Sequence, residues 1–230
     1  MKKILLTISI LIAALLWFLM FSPWTAPHIN FWYMMTASAV ILIILSQSQK
    51  VTELKSLKDS PLRPFRLSDS QTPQTSQTSR LSALISQLLI GIAIAVFMWV
   101  VFYVGDKMSQ WMFDFARPQV DTIYGMKGTT SPIYIAIALL LIIGPAEELF
   151  WRGYVQERMQ TLWGKNVGFI VATLVYTLIH IWSFNFMLIM AALVCGVCWG
   201  FIYRLDRRLL PALVVSHALW DACAFVFIPF

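Results

Sequence analysis

Charged residues are scarce in this sequence, and their scarcity decides the class of protein. Of the 230 residues, 12% are charged and 59% are hydrophobic, whereas a typical soluble domain carries roughly 25% charged residues. A water-soluble core of this composition would have too little polar surface to cover it. The sequence therefore excludes an ordinary soluble domain and indicates a membrane protein.

The sequence also lacks a disulfide framework, an internal repeat and a glycine-rich phosphate loop. Its three cysteines, Cys195, Cys198 and Cys223, all lie in apolar runs, where packing is the expected role. A net charge of +6 on a membrane chain reflects which loops face the cytoplasm, so nucleic acid is not an expected partner. The expected partner is the lipid bilayer.

Apolar runs long enough to cross a bilayer recur along the whole chain. The first run follows Met1-Lys2-Lys3 and is not followed by a small-x-small cleavage site, so we interpret it as an uncleaved anchor. The predicted fold class is all-α, a polytopic transmembrane helix bundle of about seven spans. They lie near residues 4–22, 31–47, 81–104, 131–151, 167–184, 186–204 and 210–228.

The basic residues predict how these spans are oriented. With the N-terminus in the cytoplasm, all but three of the 17 lysines and arginines fall on the cytoplasmic side, and the exceptions are Lys107, Arg117 and Lys127. Because cytoplasmic loops are enriched in Lys and Arg, this predicts an N-in, C-out protein. The expected location is the cell (inner or plasma) membrane, crossed several times.

One polar segment divides the chain into two membrane units. Residues 48–80 are basic and rich in Ser, Thr and Gln, a composition that cannot bury a core and predicts a cytoplasmic linker. Residues 1–47 then form an N-terminal two-helix unit, and residues 81–230 form a five-helix core.

The predicted fourth span carries charges that a bilayer disfavours. It ends in Gly144-Pro145-Ala146-Glu147-Glu148-Leu149-Phe150-Trp151-Arg152, and each charged group in the middle of a span costs about 2.5–3.5 kcal/mol on insertion scales. Glu148 and Arg152 are four residues apart and can pair across one helical turn. Glu147 points about 100° away from Glu148, so it is the carboxylate left free for chemistry. The alternative is that both carboxylates lie at the interface where the helix leaves the bilayer.

Two later spans carry polar pairs at helical spacing. Tyr176 and His180 share one face of the fifth span, and His217 and Asp221 share one face of the seventh. A hairpin turn near Gly164-Lys165 would bring His180 level with Glu147. We therefore expect Glu147, His180 and His217 to converge at one depth, although each histidine alone could simply bond two helices together.

This set of side chains supports hydrolysis. A carboxylate withdrawn from water can act as a general base toward a water molecule near neutral pH, and histidines can transfer protons and stabilise an oxyanion. Glu147, His180 and His217 could instead hold a divalent metal such as zinc, although the His-Glu-x-x-His motif is absent. No cofactor is certain on these grounds.

The three motifs together resemble the CPBP family, the CAAX-processing and bacteriocin-processing intramembrane endopeptidases, also called the Abi family. The resemblance covers roughly residues 131–225 and rests on Glu147-Glu148-x-x-x-Arg152, Tyr176-x-x-x-His180 and His217-x-x-x-Asp221. It implies that the first glutamate activates water, that the motif-two histidine assists it, and that the motif-three residues bind the oxyanion. Family members include both metalloproteases and metal-free glutamate enzymes.

The sequence departs from the family pattern at two positions. Tyr176 stands where phenylalanine is usual, and Asp221 stands where asparagine is common. An ionised Asp221 has no proton to donate to an oxyanion, so it would orient His217 or be protonated itself.

The function expected from the resemblance is an intramembrane endopeptidase that cleaves a membrane-associated protein or peptide with a glutamate-activated water. A proton-coupled transporter could use the same groups as a relay, but the sequence lacks inverted repeats. A non-catalytic immunity or scaffold protein is the other alternative.

Overall fold

The computed structural model describes residues 2–58 and 77–230, and within these ranges every regular element is helical. Within the described residues, seven helices are long and apolar enough to cross a membrane, which confirms the predicted all-α bundle and its number of spans. They are Lys3–Phe21, Phe31–Ser48, Leu81–Met112, Pro132–Trp163, Lys165–Ser183, Phe186–Leu205 and Arg207–Phe227. The orientation of the bundle stays a prediction.

The ends of the predicted linker are helical in the structure. The second helix runs over Phe31–Lys58 and the third over Gln77–Met112, so both extend into the segment 48–80. The rest of that linker, residues 59–76, lies outside the described residues. The division into two membrane units likewise stays a prediction.

The outer faces of the spanning helices are apolar and open. The third helix has this character most clearly, because side chains along its length are exposed although they are large and hydrophobic, among them Leu84, Leu89, Val96 and Phe97. An exposed apolar surface of this extent is stable only when another apolar medium covers it. Lipid supplies that medium for a spanning helix.

The fourth spanning helix, Pro132–Trp163, is irregular around the two adjacent glutamates. A regular α-helical stretch, Gly144–Phe150, lies between two π-helical segments, Leu139–Ile143 and Trp151–Gln156. Pro145 lacks an N–H and its ring would crowd the preceding turn, and the wider π-helical turn before it relieves that conflict, with the Gly144 N–H bonded to the Leu139 carbonyl. The helix therefore continues through the proline with an altered register of side chains.

Two glycines determine where the fourth helix meets its neighbours. The turn to the fifth helix is made at Gly164, whose φ of 84° requires glycine, and this confirms the predicted hairpin. At Gly144, an added Cβ would lie 2.7 Å from the Cα of Ala218, so the backbones of the fourth and seventh helices are nearly in contact. That approach brings His217 next to the glutamate-bearing turn.

Candidate active site

Glu148, Arg152 and His217 form a buried hydrogen-bond network. The Nη1 of Arg152 donates to Oε1 of Glu148 at 2.8 Å, and Nδ1 of His217 lies 2.8 Å from the same oxygen. Because a carboxylate only accepts, Nδ1 of His217 carries the proton and donates it. Glu148 is 0% exposed, so its carboxylate is shielded from water.

Arg152 is held by several further contacts. Its Nη2 donates to the carbonyl of Cys195 at 3.0 Å, and its guanidinium lies 4.8 Å from the ring centre of Tyr176 and 5.6 Å from that of Trp199. Guanidinium groups interact favourably with aromatic faces at these distances. Arg152 thus joins the fourth, fifth and sixth helices.

Glu147 has different surroundings from its neighbour. Its side chain is 6% exposed, and among the described residues it receives one hydrogen bond, from the hydroxyl of Tyr176 to Oε2 at 3.2 Å. The other oxygen, Oε1, is left to accept a proton from a bound molecule. The hydroxyl of Tyr176 therefore orients this carboxylate.

His180 is hydrogen-bonded through both ring nitrogens. It lies in the short 3₁₀ segment Ile179–Ser183 that ends the fifth helix, with Nδ1 2.9 Å from the carbonyl of Tyr176. The indole N–H of Trp17 donates to Nε2 at 3.0 Å. Because an indole N–H can only donate, Nε2 is the acceptor and Nδ1 carries the proton. His180 makes no hydrogen bond to Glu147, and Tyr176 connects the two.

Trp17 is a residue that the sequence pattern did not reveal. It lies in the first helix, within a run of apolar residues, and is almost completely buried. A buried tryptophan needs a partner for its N–H, but nothing in the sequence indicates that the partner is a histidine 163 residues away. Only the packing of the first helix against the end of the fifth establishes the contact.

His217 and Asp221 lie on the seventh helix as their spacing predicts, but they are not tightly paired. The distance from Nε2 of His217 to Oδ2 of Asp221 is 3.5 Å, which is long for a hydrogen bond. The ring of His217 also stacks on Trp199, with ring centres 4.1 Å apart. Glu148, rather than Asp221, is thus the group that orients His217.

One cavity of about 630 Å³ joins most of the predicted site residues. Four of the six line it together, Glu147, His180, His217 and Asp221, and the motif residue Tyr176 lines it as well. Glu148 and Arg152 do not line it. The predicted convergence of the three helices is present, with the carboxylate of Glu147 on the cavity side and the ion pair behind it.

The predicted metal ligands do not form a metal site. Within residues 2–58 and 77–230, no three His, Cys, Asp or Glu side chains are arranged to hold a metal ion. Both nitrogens of His180 are occupied, and a metal would have to displace either Trp17 or the carbonyl of Tyr176. The donor set of Glu147, His180 and His217 therefore does not fit zinc, and we derive no catalytic step through a metal.

Comparison with known proteins found a family model that matches part of the chain. Residues 129–223 match the family model described as Rce1-like, type II CAAX prenyl endopeptidase Rce1-like. No curated protein and no solved structure was found to match the chain. The matched residues contain all three motifs, but they exclude Trp17.

Proposed function

We propose that this protein, whose residues 129–223 match a model of the CAAX protease family, is an intramembrane endopeptidase whose water is activated by Glu147. A protease of this family cleaves a peptide in the membrane, so the match supports this general activity. The observation that supports the role of Glu147 is the contrast between two adjacent carboxylates. Glu148 accepts two hydrogen bonds away from the cavity, whereas Glu147 presents a carboxylate to it.

In the proposed reaction, Glu147 takes a proton from a water molecule bound in the cavity. The resulting hydroxide attacks the carbonyl carbon of the scissile peptide bond, and the proton on Glu147 passes to the leaving nitrogen as the C–N bond breaks. Tyr176 holds one oxygen of the carboxylate, so the other stays directed at the water. General acid–base catalysis of this kind typically accelerates a reaction by about 10²–10⁴-fold.

His217 is the group best placed to stabilise the oxyanion. Its Nδ1 is bound by Glu148, and its Nε2 faces the cavity and Asp221. In the imidazolium form it offers an Nε2–H to a negatively charged oxygen. The carboxylates of Glu148 and Asp221 compensate the positive charge of the ring. His180 is a positioning residue in this proposal, because its Nδ1–H holds the backbone of Tyr176.

The test is cleavage by purified protein in detergent. Wild type and Glu147→Gln would be incubated with a peptide library, and products identified by mass spectrometry. We expect Glu147→Gln to lower the rate at least about 100-fold without changing the thermal unfolding temperature, since the amide keeps the shape and loses the basicity. Glu157→Gln is the matched control, because Glu157 lies outside the cavity and binds Tyr203 and Arg207.

Two results would contradict the proposal. If Glu147→Gln cleaved at the wild-type rate, another group would be the base. If the folded wild-type protein cleaved no peptide at all, a non-catalytic membrane partner would be the better description of the chain.

A further inference from the structure

Gly105 lies in the middle of the face that the third helix turns toward the cavity. On an α-helix, the side chains three and four residues before and after a position surround it. For Gly105 these neighbours are Val101, Phe102, Met108 and Ser109, and all four line the cavity, as does Gly105 itself. A side chain at this position would therefore point into the cavity.

The space in front of Gly105 is open. Among the described residues, no atom would lie within 4 Å of a Cβ added at this glycine. The missing side chain thus leaves a recess in the cavity wall, bordered by Val101, Phe102, Met108 and Ser109, which we call the Gly105 recess.

The other glycine of the third helix has a structural explanation that Gly105 lacks. At Gly91, an added Cβ would lie 2.7 Å from the carbonyl oxygen of Ala212 and 2.7 Å from Cβ of Val215, so glycine there lets the third and seventh helices pack closely. Glycine in a helix interior is less stable than alanine, and at Gly105 no close approach of another helix offsets that cost. The position of Gly105 in the cavity wall indicates instead that the open space is used.

The Gly105 recess lies near the catalytic groups of the seventh helix. The ring of Phe102, which borders the recess, has its centre 4.4 Å from that of Trp220, and Trp220 directly precedes Asp221. Gly105 lies three residues beyond Phe102, which is about 4.5 Å along the helix. Because an extended peptide advances about 3.3–3.6 Å per residue, a group in the recess belongs to a residue close to the scissile bond.

The side chains around the recess determine which group it can hold. Three of the four, those of Val101, Phe102 and Met108, are apolar, and the hydroxyl of Ser109 donates to the backbone carbonyl of Asp106 at 2.9 Å. Met108 can adapt to groups of different shape because its side chain is unbranched and flexible. The cavity as a whole, about 630 Å³, has the size of a ligand-binding pocket. The recess therefore fits a bulky apolar group.

We propose that Gly105 is a specificity-determining residue, and that the Gly105 recess holds a bulky apolar side chain of the peptide close to the scissile bond. This inference rests on the proposed protease function and adds a substrate preference to it. Gly105 lies outside residues 129–223, which match the family model. The third helix thus selects the substrate, while the later helices carry the catalytic motifs.

Binding can be measured without cleavage, on the folded Glu147→Gln protein in detergent. A fluorescent alanine peptide serves as the host, and each of its positions in turn is replaced by phenylalanine. Fluorescence anisotropy then gives the Kd of every peptide. We expect phenylalanine at one position to bind at least about tenfold more tightly than alanine, since even one methylene in an apolar pocket is worth about 10–200-fold.

Gly105→Leu should fill the recess. In the Glu147→Gln protein, we expect this substitution to remove the preference for phenylalanine and to leave binding of the alanine host unchanged. Val104→Leu is the matched control and should keep the preference, because Val104 is the preceding residue of the same helix, is 47% exposed and does not line the cavity. In the active protein, Gly105→Leu should lower kcat/KM for the phenylalanine peptide at least about tenfold.

The unfolding temperature separates this role from a structural one. Gly105→Leu should unfold at or above the wild-type temperature, because leucine favours the helix and its Cβ meets no atom. Gly91→Ala should unfold at a lower temperature, because its methyl would collide with Ala212. If Gly105→Leu does not fold, Gly105→Ala decides, since its single methyl should still reduce the preference for phenylalanine.

Three binding results would overturn the inference: a phenylalanine preference that survives in Gly105→Leu, no preference at any position of the host, or no binding of any peptide. Equal losses of affinity for the host and for the phenylalanine peptide would also overturn it, as would an unfolding temperature of Gly105→Leu as low as that of Gly91→Ala. None of these results depends on cleavage. They are therefore separate from failure of the proposed mechanism, which the activity of Glu147→Gln decides.

Discussion

Glu147 and Glu148 are neighbours in the chain, yet their side chains have opposite tasks. The helix turns about 100° between them, which directs one carboxylate to the cavity and the other to the interior of the bundle. There, Glu148 accepts hydrogen bonds from Arg152 and His217. Removing either donor would change a buried network. Glu147 has one polar partner and borders open space.

This difference predicts separate effects on stability and on activity. Arg152→Ala would leave the carboxylate of Glu148 buried without its cation, and losing one partner of a buried pair costs about 3–5 kcal/mol. We expect a lower free energy of unfolding and a lower yield of folded protein, measured by thermal or chemical unfolding in detergent. Glu147→Gln keeps its contact with Tyr176 and should unfold like wild type. Equal losses of stability in the two variants would contradict this division of tasks.

The fourth spanning helix places these carboxylates through its irregularity and its close contact with the seventh helix. The π-helical turns on either side of Gly144–Phe150 change the direction of the side chains relative to a regular helix, and such turns are frequent at functional sites. Gly144 lets the backbone of Ala218 approach. The bond from His217 to Glu148 depends on that approach, because the two residues lie on these two helices.

Gly144→Ala tests the contact between the two helices. The added methyl would lie 2.7 Å from the Cα of Ala218 and 2.8 Å from its nitrogen, so the helices must separate, at a cost of about 1–3 kcal/mol. We expect a lower unfolding temperature and reduced cleavage. Gly125→Ala is the control, since an added Cβ there meets nothing within 4 Å, and its stability should stay within about 0.5 kcal/mol of wild type. Similar behaviour of both variants would show that the contact is not tight.

The first helix is the element that completes the site from outside the matched segment. Trp17→Phe keeps an aromatic ring but removes the N–H that binds Nε2 of His180. A buried acceptor left unsatisfied costs about 1–3 kcal/mol, and the free energy of unfolding should fall by that amount. Trp24→Phe is the matched control, because Trp24 is 64% exposed and its loss of an N–H should have little effect.

A spectroscopic measurement would separate this bond from general packing. The chain has three histidines, so nitrogen-15 spectra of labelled histidine can be assigned by substitution. In wild type, His180 should appear as the neutral Nδ1–H tautomer, and Trp17→Phe should shift the resonance of its unprotonated Nε2. An unchanged nitrogen resonance in Trp17→Phe would mean that the indole is not bound to His180.

At the scale of the whole molecule, the apolar exterior and the distribution of basic residues govern how the protein sits in the bilayer. Only Lys107, Arg117 and Lys127 fall on the predicted outer side. Two of them contact carboxylates, Lys107 through Asp106 and Arg117 through Asp121. The cavity reaches this end of the bundle, where it is lined by Ser109 near the end of the third helix and by Tyr124, which follows that helix.

The orientation can be tested by thiol labelling of intact cells. In a background with the three native cysteines replaced by alanine, Ser68→Cys should be protected from a membrane-impermeant reagent, since segment 48–80 is predicted to be cytoplasmic. Thr129→Cys and Phe230→Cys should react. Reaction of Ser68→Cys and protection of Phe230→Cys would invert the topology, and protection of both would remove one span.

The sequence by itself determined the features that depend on composition and on local spacing. Seven spans follow from the length of apolar runs, and the pairing of Glu148 with Arg152 follows from the four-residue repeat of a helix face. The hairpin at Gly164 could be located because a turn must separate two antiparallel spans. The family resemblance also depends on short motifs, each contained within one helix.

Only the tertiary structure decided which partners these residues have on other helices. The i,i+4 spacing suggested Asp221 as the partner of His217, but the shorter contact is with Glu148, 69 residues away. For the same reason, the sequence did not indicate that Trp17 binds His180 or that Asp106 lines the cavity. Side chains on separate helices meet through the packing of whole helices, which depends on small residues such as Gly144 and on irregular turns. Periodicity along one helix contains no information about that packing. The hydrogen-bond partners on other helices and the cavity therefore had to come from the fold.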